Sequence, residues 1–216
     1  MRELYSYFRS SAAYRVRIAL NLKGLDYQTI PTHLLRHGGD QLSEAYRARN
    51  PQGLVPTYVE DGLIFTQSLA IIEYLDETSP APPLLPSAPA DRARVRTLAL
   101  YIACDIHPLN NLRVLRYFAH TLKLSQEQRD AWYRHWIMVG FDALERQLAQ
   151  SPSTGLCCHG DEPGLADCCL IPQVHNARRF DIDMSPYPTI DRITGHCGTL
   201  PAFTAAHPSR QADAED

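Results

Sequence analysis

The chain has 216 residues, of which 44% are hydrophobic and 21% charged, and its formal net charge is -3. This composition is ordinary for a globular protein, the charge gives no reason to expect nucleic acid as a partner, and no apolar stretch is long enough to span a bilayer. The start of the chain, Met1 to Tyr5, contains no apolar run of the secretory kind. We therefore expect a cytoplasmic location.

The predicted elements before residue 79 alternate between strands and helices. Apolar residues at helical spacing and short β-rich runs indicate their type, and a Glu-Asp-Gly sequence at 60–62 predicts a hairpin. Gly24 marks the end of the first helix. In chain order the elements are strand 3–8, helix 12–22, strand 27–30, helix 41–49, strands 55–59 and 63–65, and helix 68–77.

A proline-rich segment separates this region from a helical one. Residues 79–90 contain five prolines, which cannot continue a helix or fill a central strand. After it, helical periodicity covers 92–118, 126–148 and 165–180. The sequence therefore predicts a small α/β domain and an all-helical domain. The predicted limits are domain 1–80, linker 81–90, domain 91–206 and a disordered polar tail 207–216.

The six cysteines raise the alternative of a zinc site. Without a secretory signal we expect no disulfides, and no CxxC spacing is present. Neighbouring cysteines on a helix point about 100° apart and cannot easily share one ion. We therefore expect small buried hydrophobic side chains and no metal. The zinc alternative concerns Cys157, Cys158, His159, Cys168, Cys169 and His175, and the remaining cysteines are Cys104 and Cys197.

The element order and several local motifs resemble a known family. The order β-α-β-α-β-β-α, with a proline opening the third strand, resembles the thioredoxin-like domain of glutathione transferases, and the helical remainder resembles their C-terminal domain. Local motifs resemble the zeta class, which includes maleylacetoacetate and maleylpyruvate isomerases. These motifs are Arg9-Ser10-Ser11, Arg15 to Leu20, Asn50-Pro51, Val55-Pro56, Gln67 to Leu75, Cys104 to Asn111 and Asn176 to Phe180.

The resemblance implies a cofactor and a reaction. Glutathione would be the cofactor of a homodimeric cis-trans isomerase acting on a maleyl-type dicarboxylate, in the degradation of aromatic amino acids or aromatic acids. The sequence does not choose between maleylacetoacetate and maleylpyruvate. Two alternatives remain: a general glutathione transferase or dehalogenase acting on small electrophiles, and a non-enzymatic binding protein of the same fold.

Two serines at the start of the first helix are the catalytic candidates. Serine is a preferred N-cap, and a helix N-terminus also favours an anion such as a thiolate. A hydroxyl that donates to the sulfur would lower the pKa of the thiol. The resemblance gives this role to Ser11, with Ser10 and Arg9 adjacent. Where the family motif has a cysteine, this chain has Ala12.

Other glutathione contacts are expected in the first domain. By resemblance, the Val55-Pro56 bond is cis and Val55 pairs with the cysteinyl backbone of glutathione. Ser68 is predicted to cap the helix that follows, and Gln67 and Ser68 to hold the γ-glutamyl end. Gln41 is assigned to the glycyl end by resemblance.

The helical domain contributes three further candidates. His107 and Asn111 are four residues apart, so on one helix they would share a face, and the resemblance suggests that they bind glutathione within or across subunits. Pro108 equally suggests a kink. Arg9 and Arg179 are predicted to bind the two substrate carboxylates, because arginine can hold a carboxylate through two hydrogen bonds. A surface salt bridge is the alternative for each.

Overall fold

The computed structural model describes residues 1–215, which form two compact units. The first unit comprises Met1–Leu84 and the segment from Thr199 onward, and the second comprises Leu85–Gly198. Within the described residues, no helix combines the length and the apolar character that crossing a membrane requires.

A four-stranded mixed sheet forms the centre of the first unit. The strand order is β2-β1-β3-β4, in which β1 and β2 are parallel and the other neighbours are antiparallel. A parallel pair needs a crossover, and the first helix provides it. The predicted order β-α-β-α-β-β-α is confirmed. The elements are β1 (Arg2–Ser6), α1 (Ser11–Leu22), β2 (Gln28–Pro31), α2 (Glu44–Arg47), β3 (Thr57–Glu60), β4 (Leu63–Thr66) and α3 (Ser68–Thr78).

Helices α1 and α3 supply most of the helical core of this unit. The apolar side chains of α1 from Val16 to Leu20, and Ile71, Ile72 and Leu75 of α3, are fully buried. Each buried aliphatic side chain of this size contributes about 2 kcal/mol to folding. Two arginines, Arg15 and Arg17, are buried in the same helix as these aliphatic residues.

The second unit is helical, as predicted. The prediction of a single helix over 92–118 is wrong, because a helix ending at Leu100 passes into a π-helical turn, Tyr101–Ile106, and the next helix begins only after Asn111. Pro108 has no amide to continue the hydrogen-bond ladder, and its ring would clash with the preceding turn. The helices are α4 (Pro89–Leu100), α5 (Leu112–His120), α6 (Gln126–Gln150), α7 (Leu165–Arg179) and α8 (Pro188–Cys197).

The C-terminal segment belongs to the first unit. The structure differs here from the predicted limits 91–206 and 207–216, because helix α9 (Pro201–Ala206) packs on α1 and buries Phe203. The predicted disorder of the tail is wrong for residues 207–215. Pro208 is buried, and the Asp213 carboxylate accepts a hydrogen bond from the amide of Phe8. The polar composition predicted disorder, but polar side chains of this segment form hydrogen bonds within the unit.

The cysteines are all free, and five of the six are buried. The thiols of Cys157 and Cys197 and the carboxylate of Asp167 lie within 4.8 Å of one another, a grouping that the sequence motif did not suggest. Both oxygens of Asp167 accept backbone amides, from Cys158 and from Gly164 at the start of α7, at 2.9 Å each. Asp167 therefore serves the fold as a helix cap.

Candidate active site

The two serines of the β1–α1 loop have different positions in the structure. Ser10 is the N-cap of α1, and its hydroxyl accepts the amide of Ala13 at 3.2 Å. Ser11 is the first helical residue, with 8% of its surface exposed. The hydroxyl that caps the helix and the predicted sulfur ligand therefore belong to different residues. Arg9 is exposed, and its guanidinium lies over the ring of Phe8 at 5.0 Å.

A buried arginine, Arg17, supports this loop through hydrogen bonds. Arg17 is fully buried and donates to the carbonyl of Phe8 at 3.1 Å, to the hydroxyl of Ser6 at 3.0 Å and to the carbonyl of Ala206 at 3.0 Å. Burial lowers the pKa of Arg17 to about 10, so the guanidinium is still charged at neutral pH. The polypeptide just before Arg9 is thus held by a buried cation.

The start of α3 has a different construction. Strand β4 ends at Thr66, so Gln67 alone turns the chain into the helix, with φ 69°. The prediction that Ser68 caps α3 is wrong: Gln67 occupies the N-cap position and Ser68 is the first helical residue. The Gln67 side chain makes no capping hydrogen bond to this helix. Its first amides are therefore available to an anion.

The side chains of Gln67 and Ser68 have partners within the first unit. The Gln67 amide donates to Gln52 Oε1 at 2.8 Å, in an exposed position. The Ser68 hydroxyl accepts from Arg15 Nη1 at 3.2 Å, and both side chains are buried. Arg15 thereby joins the body of α1 to the first turn of α3.

The loop before β3 contains the cis Val55-Pro56 bond, as the resemblance implied. Two buried side chains support this loop by donating to the carbonyl of Leu54: Asn50 Nδ2 at 2.8 Å and the Tyr46 hydroxyl at 2.6 Å. The loop is therefore held by side chains that approach it from the α2 region.

Val55 also connects this loop to the β1–α1 loop. Its side chain is buried in a cluster with Tyr7, Phe8 and Tyr46, against which Leu34 packs. The structure therefore brings the loop containing Val55 beside the loop containing Arg9, Ser10 and Ser11.

Gln41 lies in a short 3-10 turn, Asp40–Leu42, and is 4% exposed. Its amide nitrogen lies 3.5 Å from the carbonyl of Leu34, and its buried Oε1 has no hydrogen-bond partner among the described residues. A buried amide oxygen without a donor is uncommon in folded proteins and calls for a specific explanation. An amide of a bound ligand would supply a donor.

In the second unit, the predicted common helix face of His107 and Asn111 is wrong. His107 closes the π-helical turn, donating its amide to the carbonyl of Ile102 at 2.9 Å. Asn111 has extended backbone geometry, and its side chain caps α5 by accepting the amide of Arg113 at 3.0 Å. The residues lie on either side of a helix break, which removes the geometric argument for their acting together.

The two arginines that end α7 differ in their contacts. Arg178 forms an exposed ion pair with Asp191 at 2.8 Å. Arg179 is also exposed, and its guanidinium lies 3.4 Å from Asn176 Oδ1 and 6.0 Å from the ring of Phe180. Burial raises the pKa of Tyr133 to about 12, and the nearby positive charge of Arg179 opposes that rise. The carboxylate-binding role of Arg179 stays a prediction.

Two supporting residues, Arg15 and Arg17, received no individual role from sequence reasoning. The sequence contains a signal for them, because 15–20 reads Arg-Val-Arg-Ile-Ala-Leu and the apolar residues leave little solvent face for two arginines. For Asp213, a charged residue in a polar tail, no such signal exists.

Comparison with known proteins agrees with this arrangement. Residues 4–83 match the family model described as glutathione S-transferase, N-terminal domain. A probable maleylacetoacetate isomerase from Vibrio cholerae is 52% identical over 211 residues, covering 98% of this chain and 97% of the relative.

Two solved structures are similar over the whole length. One is a holo structure of maleyl pyruvate isomerase, described as a bacterial glutathione S-transferase in the zeta class; it has a TM-score of 0.95 and 46% identity, covering 99% of this chain and 100% of that one. The other is maleylacetoacetate isomerase from Methylobacterium extorquens AM1 with bound malonate and GSH; it has a TM-score of 0.95 and 42% identity, with the same coverage.

A four-stranded mixed sheet of this order, followed in the chain by a helical unit, defines the glutathione transferase class of fold. The chain belongs to the glutathione transferase family, in the zeta-class group of maleylacetoacetate and maleylpyruvate isomerases. The family that the sequence motifs indicated is confirmed.

Proposed function

We propose that this chain is a glutathione-dependent cis-trans isomerase that converts maleylacetoacetate or maleylpyruvate to the fumaryl product, in the degradation of aromatic amino acids or aromatic acids. The observation that carries the proposal is the start of α1, where Ser10 caps the helix and Ser11 follows as the first helical residue, at a helix end that favours an anion. Full-length similarity to proteins named for this reaction supports it.

The residues of the first unit fit the chemistry of glutathione, a tripeptide with a thiol between two carboxylate ends. The start of α1 suits the sulfur anion, and the uncapped start of α3 beside Gln67 and Ser68 suits the γ-glutamyl carboxylate. Gln41 Oε1 is a buried acceptor that lacks a donor among the described residues. We assign these residues to glutathione, together with the backbone of Val55.

The reaction needs an ionised thiol. When bound, glutathione supplies a thiolate that adds to the double bond of the maleyl group, permits rotation and is then expelled. Ser11 donates a hydrogen bond from its hydroxyl to the sulfur, and the α1 N-terminus favours the negative charge, so both lower the pKa of the thiol. Ser10 supports this by holding the first turn of α1.

The substrate contributes two carboxylates. We propose that Arg9 and Arg179 each bind a substrate carboxylate, since the exposed guanidinium of each is available for two parallel hydrogen bonds. The positive charge of Arg9 would also stabilise the negative charge that develops on the substrate. His107 and Asn111 remain proposed glutathione contacts on the resemblance alone.

An absorbance assay tests the proposed reaction. Maleylacetoacetate and maleylpyruvate are each incubated with the protein and a small, fixed amount of glutathione, and free thiol is measured at the end. We expect many turnovers per glutathione and no loss of thiol. The faster substrate identifies the physiological class.

Other outcomes would contradict the proposal. Loss of thiol in proportion to product would indicate a conjugating transferase. Retention on immobilised glutathione without activity toward either substrate or toward small electrophiles would indicate a binding protein. A Ser11→Ala variant serves as the matched control in both assays.

We also propose that the protein is a homodimer, as the family resemblance implies, and that it acts in the cytoplasm. Sedimentation equilibrium would show a particle of twice the chain mass. A particle of one chain mass would contradict the first statement.

A further inference from the structure

Residues 7–10, which join β1 to Ser11, form a turn that is held by hydrogen bonds from two other parts of the chain. The amide of Ser10 donates to the carbonyl of Tyr7 at 2.9 Å and closes the turn. Within it, the carbonyl of Phe8 accepts from Arg17 at 3.1 Å, and the amide of Phe8 donates to Asp213 Oδ2 at 3.1 Å. Both backbone polar groups of Phe8 therefore bond to side chains outside the turn.

The residues that make these two hydrogen bonds, Arg17 and Asp213, are far from each other in the sequence. Arg17 lies in α1, next to the turn, whereas Asp213 is 205 residues from Phe8 along the chain. Arg17 also donates to the carbonyl of Ala206, so it holds the base of the C-terminal segment as well as the turn. The negative charge of Asp213 favours the charged form of Arg17 and offsets part of the cost of its burial.

The C-terminal segment is itself well attached, which makes Asp213 a fixed partner. Gln211 donates its side-chain amide to the carbonyls of Ala205 and His207 at 3.0 Å each. Beyond Asp213, Glu215 pairs with His33 at 3.1 Å and with Arg36. The acceptor for the Phe8 amide is thus anchored on both sides.

We propose that Asp213 is a positioning residue for the turn that carries Arg9, Ser10 and Ser11. This inference rests on the proposed function, since it deepens the account of how the Ser11 hydroxyl is placed. A hydroxyl lowers the pKa of a thiol only when it meets the sulfur at hydrogen-bond distance and angle, so a small backbone shift at Phe8 weakens the effect.

The choice of an acidic residue carries an electrostatic cost. A carboxylate near a site for a sulfur anion disfavours that anion, and the adjacent Arg17 cation counteracts this. An uncharged acceptor would still hold the turn, through a weaker hydrogen bond and without the charge. Substitutions at Asp213 can therefore separate the effect of the hydrogen-bond acceptor from the effect of the negative charge.

The test compares three full-length variants with the wild-type protein. Asp213→Ala removes the acceptor, Asp213→Asn keeps an acceptor and removes the charge, and Glu215→Ala removes a carboxylate on the same segment that does not contact the turn. The measurements are kcat and KM for the isomerisation, the ultraviolet absorbance of bound glutathione thiolate against pH, and hydrogen exchange of the Phe8 amide by NMR.

We expect Asp213→Ala to lower kcat about fivefold, with little change in the KM of the maleyl substrate, and to reduce the bound thiolate fraction at neutral pH. The Phe8 amide should exchange about tenfold faster, as expected for a lost hydrogen bond. Asp213→Asn should restore all three readouts to within about twofold. Glu215→Ala keeps the acceptor and removes only one anchor of the segment, so all three readouts should stay within about twofold of the wild-type protein.

The proposal is overturned if Asp213→Ala leaves Phe8 exchange and kcat unchanged, or if Glu215→Ala lowers kcat as far as Asp213→Ala does. Failure of the proposed function looks different, because the wild-type protein would then be inactive toward both maleyl substrates. The exchange measurement needs no substrate, so in that case it still decides whether Asp213 holds the turn.

Discussion

Helices α1 and α3 both begin with a serine in the first helical position, yet the two helix starts are built differently. At α1 the preceding residue, Ser10, caps the helix, and the turn before it is tied to Arg17 and Asp213. At α3 the preceding residue, Gln67, has φ 69° and provides no cap. A helix start that is capped, and whose preceding turn is held by hydrogen bonds, suits a reacting group that must be placed accurately. An uncapped start suits a carboxylate, which satisfies the open amides itself.

The largest expected effect comes from Ser11 at the α1 start. Ser11→Ala should lower kcat/KM about 100-fold, because it removes the hydroxyl donor that stabilises the sulfur anion. It should also raise the pKa of bound glutathione, which a thiolate absorbance titration measures. Retention of more than half the activity in Ser11→Ala, with loss in Ser10→Ala, would transfer the role to Ser10.

At the α3 start we expect an effect on binding rather than on chemistry. Gln67→Ala should raise the glutathione KM about fivefold and leave kcat nearly unchanged, since the side chain is assigned to the γ-glutamyl end. Gln67→Gly should weaken binding equally but stabilise the fold by about 1 kcal/mol, because glycine adopts a positive φ without strain. Calorimetric titration and urea denaturation measure the two changes. An unchanged KM in both variants would remove Gln67 from the site.

The cap of α1 is expected to matter more for stability than for catalysis. Ser10→Ala should destabilise the protein by about 1 kcal/mol, the usual effect of losing an N-cap hydroxyl. Ser10→Asn should restore stability, because asparagine is an equally good cap. Urea denaturation provides the measurement. If Ser10→Asn regains stability but not activity, Ser10 has a chemical role beyond capping.

The smallest effect is expected at His207, in the C-terminal segment whose Asp213 holds the turn that precedes α1. Burial, and then the charges of Arg17 and Arg210, lower its pKa below 6.5. Above pH 6.5 the imidazole is neutral in both the folded and unfolded states. As the pH falls below 6.5, the unfolded chain takes up the proton first, so the folded state loses stability until the folded pKa is passed.

Replacing this side chain should remove that pH dependence. Urea midpoints measured above and below pH 6.5 should differ less in His207→Gln than in the wild-type protein. The exposed His37, at a position with positive φ, is replaced by asparagine as the control and should leave the dependence in place. Equal pH dependence in the wild-type protein and in His207→Gln would contradict the prediction.

Sequence reasoning was most successful where local pattern decides the structure. The alternation of strands and helices before residue 79 is read from periodicity and turn residues, and it was confirmed in order. The cis Val55-Pro56 bond was also anticipated, although by resemblance to a family and not by local pattern. Local reasoning failed at Ser68 because a cap depends on which single residue makes the turn between strand and helix.

Features that depend on residues far apart in the sequence could not be predicted from local patterns. The sequence by itself determined the two kinds of region, the family and the serine pair at the first helix, because period, composition and short motifs act over neighbouring residues. Only the tertiary structure decided that the chain's end returns to the first unit, that Arg17 and Asp213 meet at Phe8, and that Pro108 separates His107 from Asn111. The physical reason is that a buried hydrogen bond or a helix break depends on which distant groups share a desolvated space, and a linear pattern does not encode that proximity.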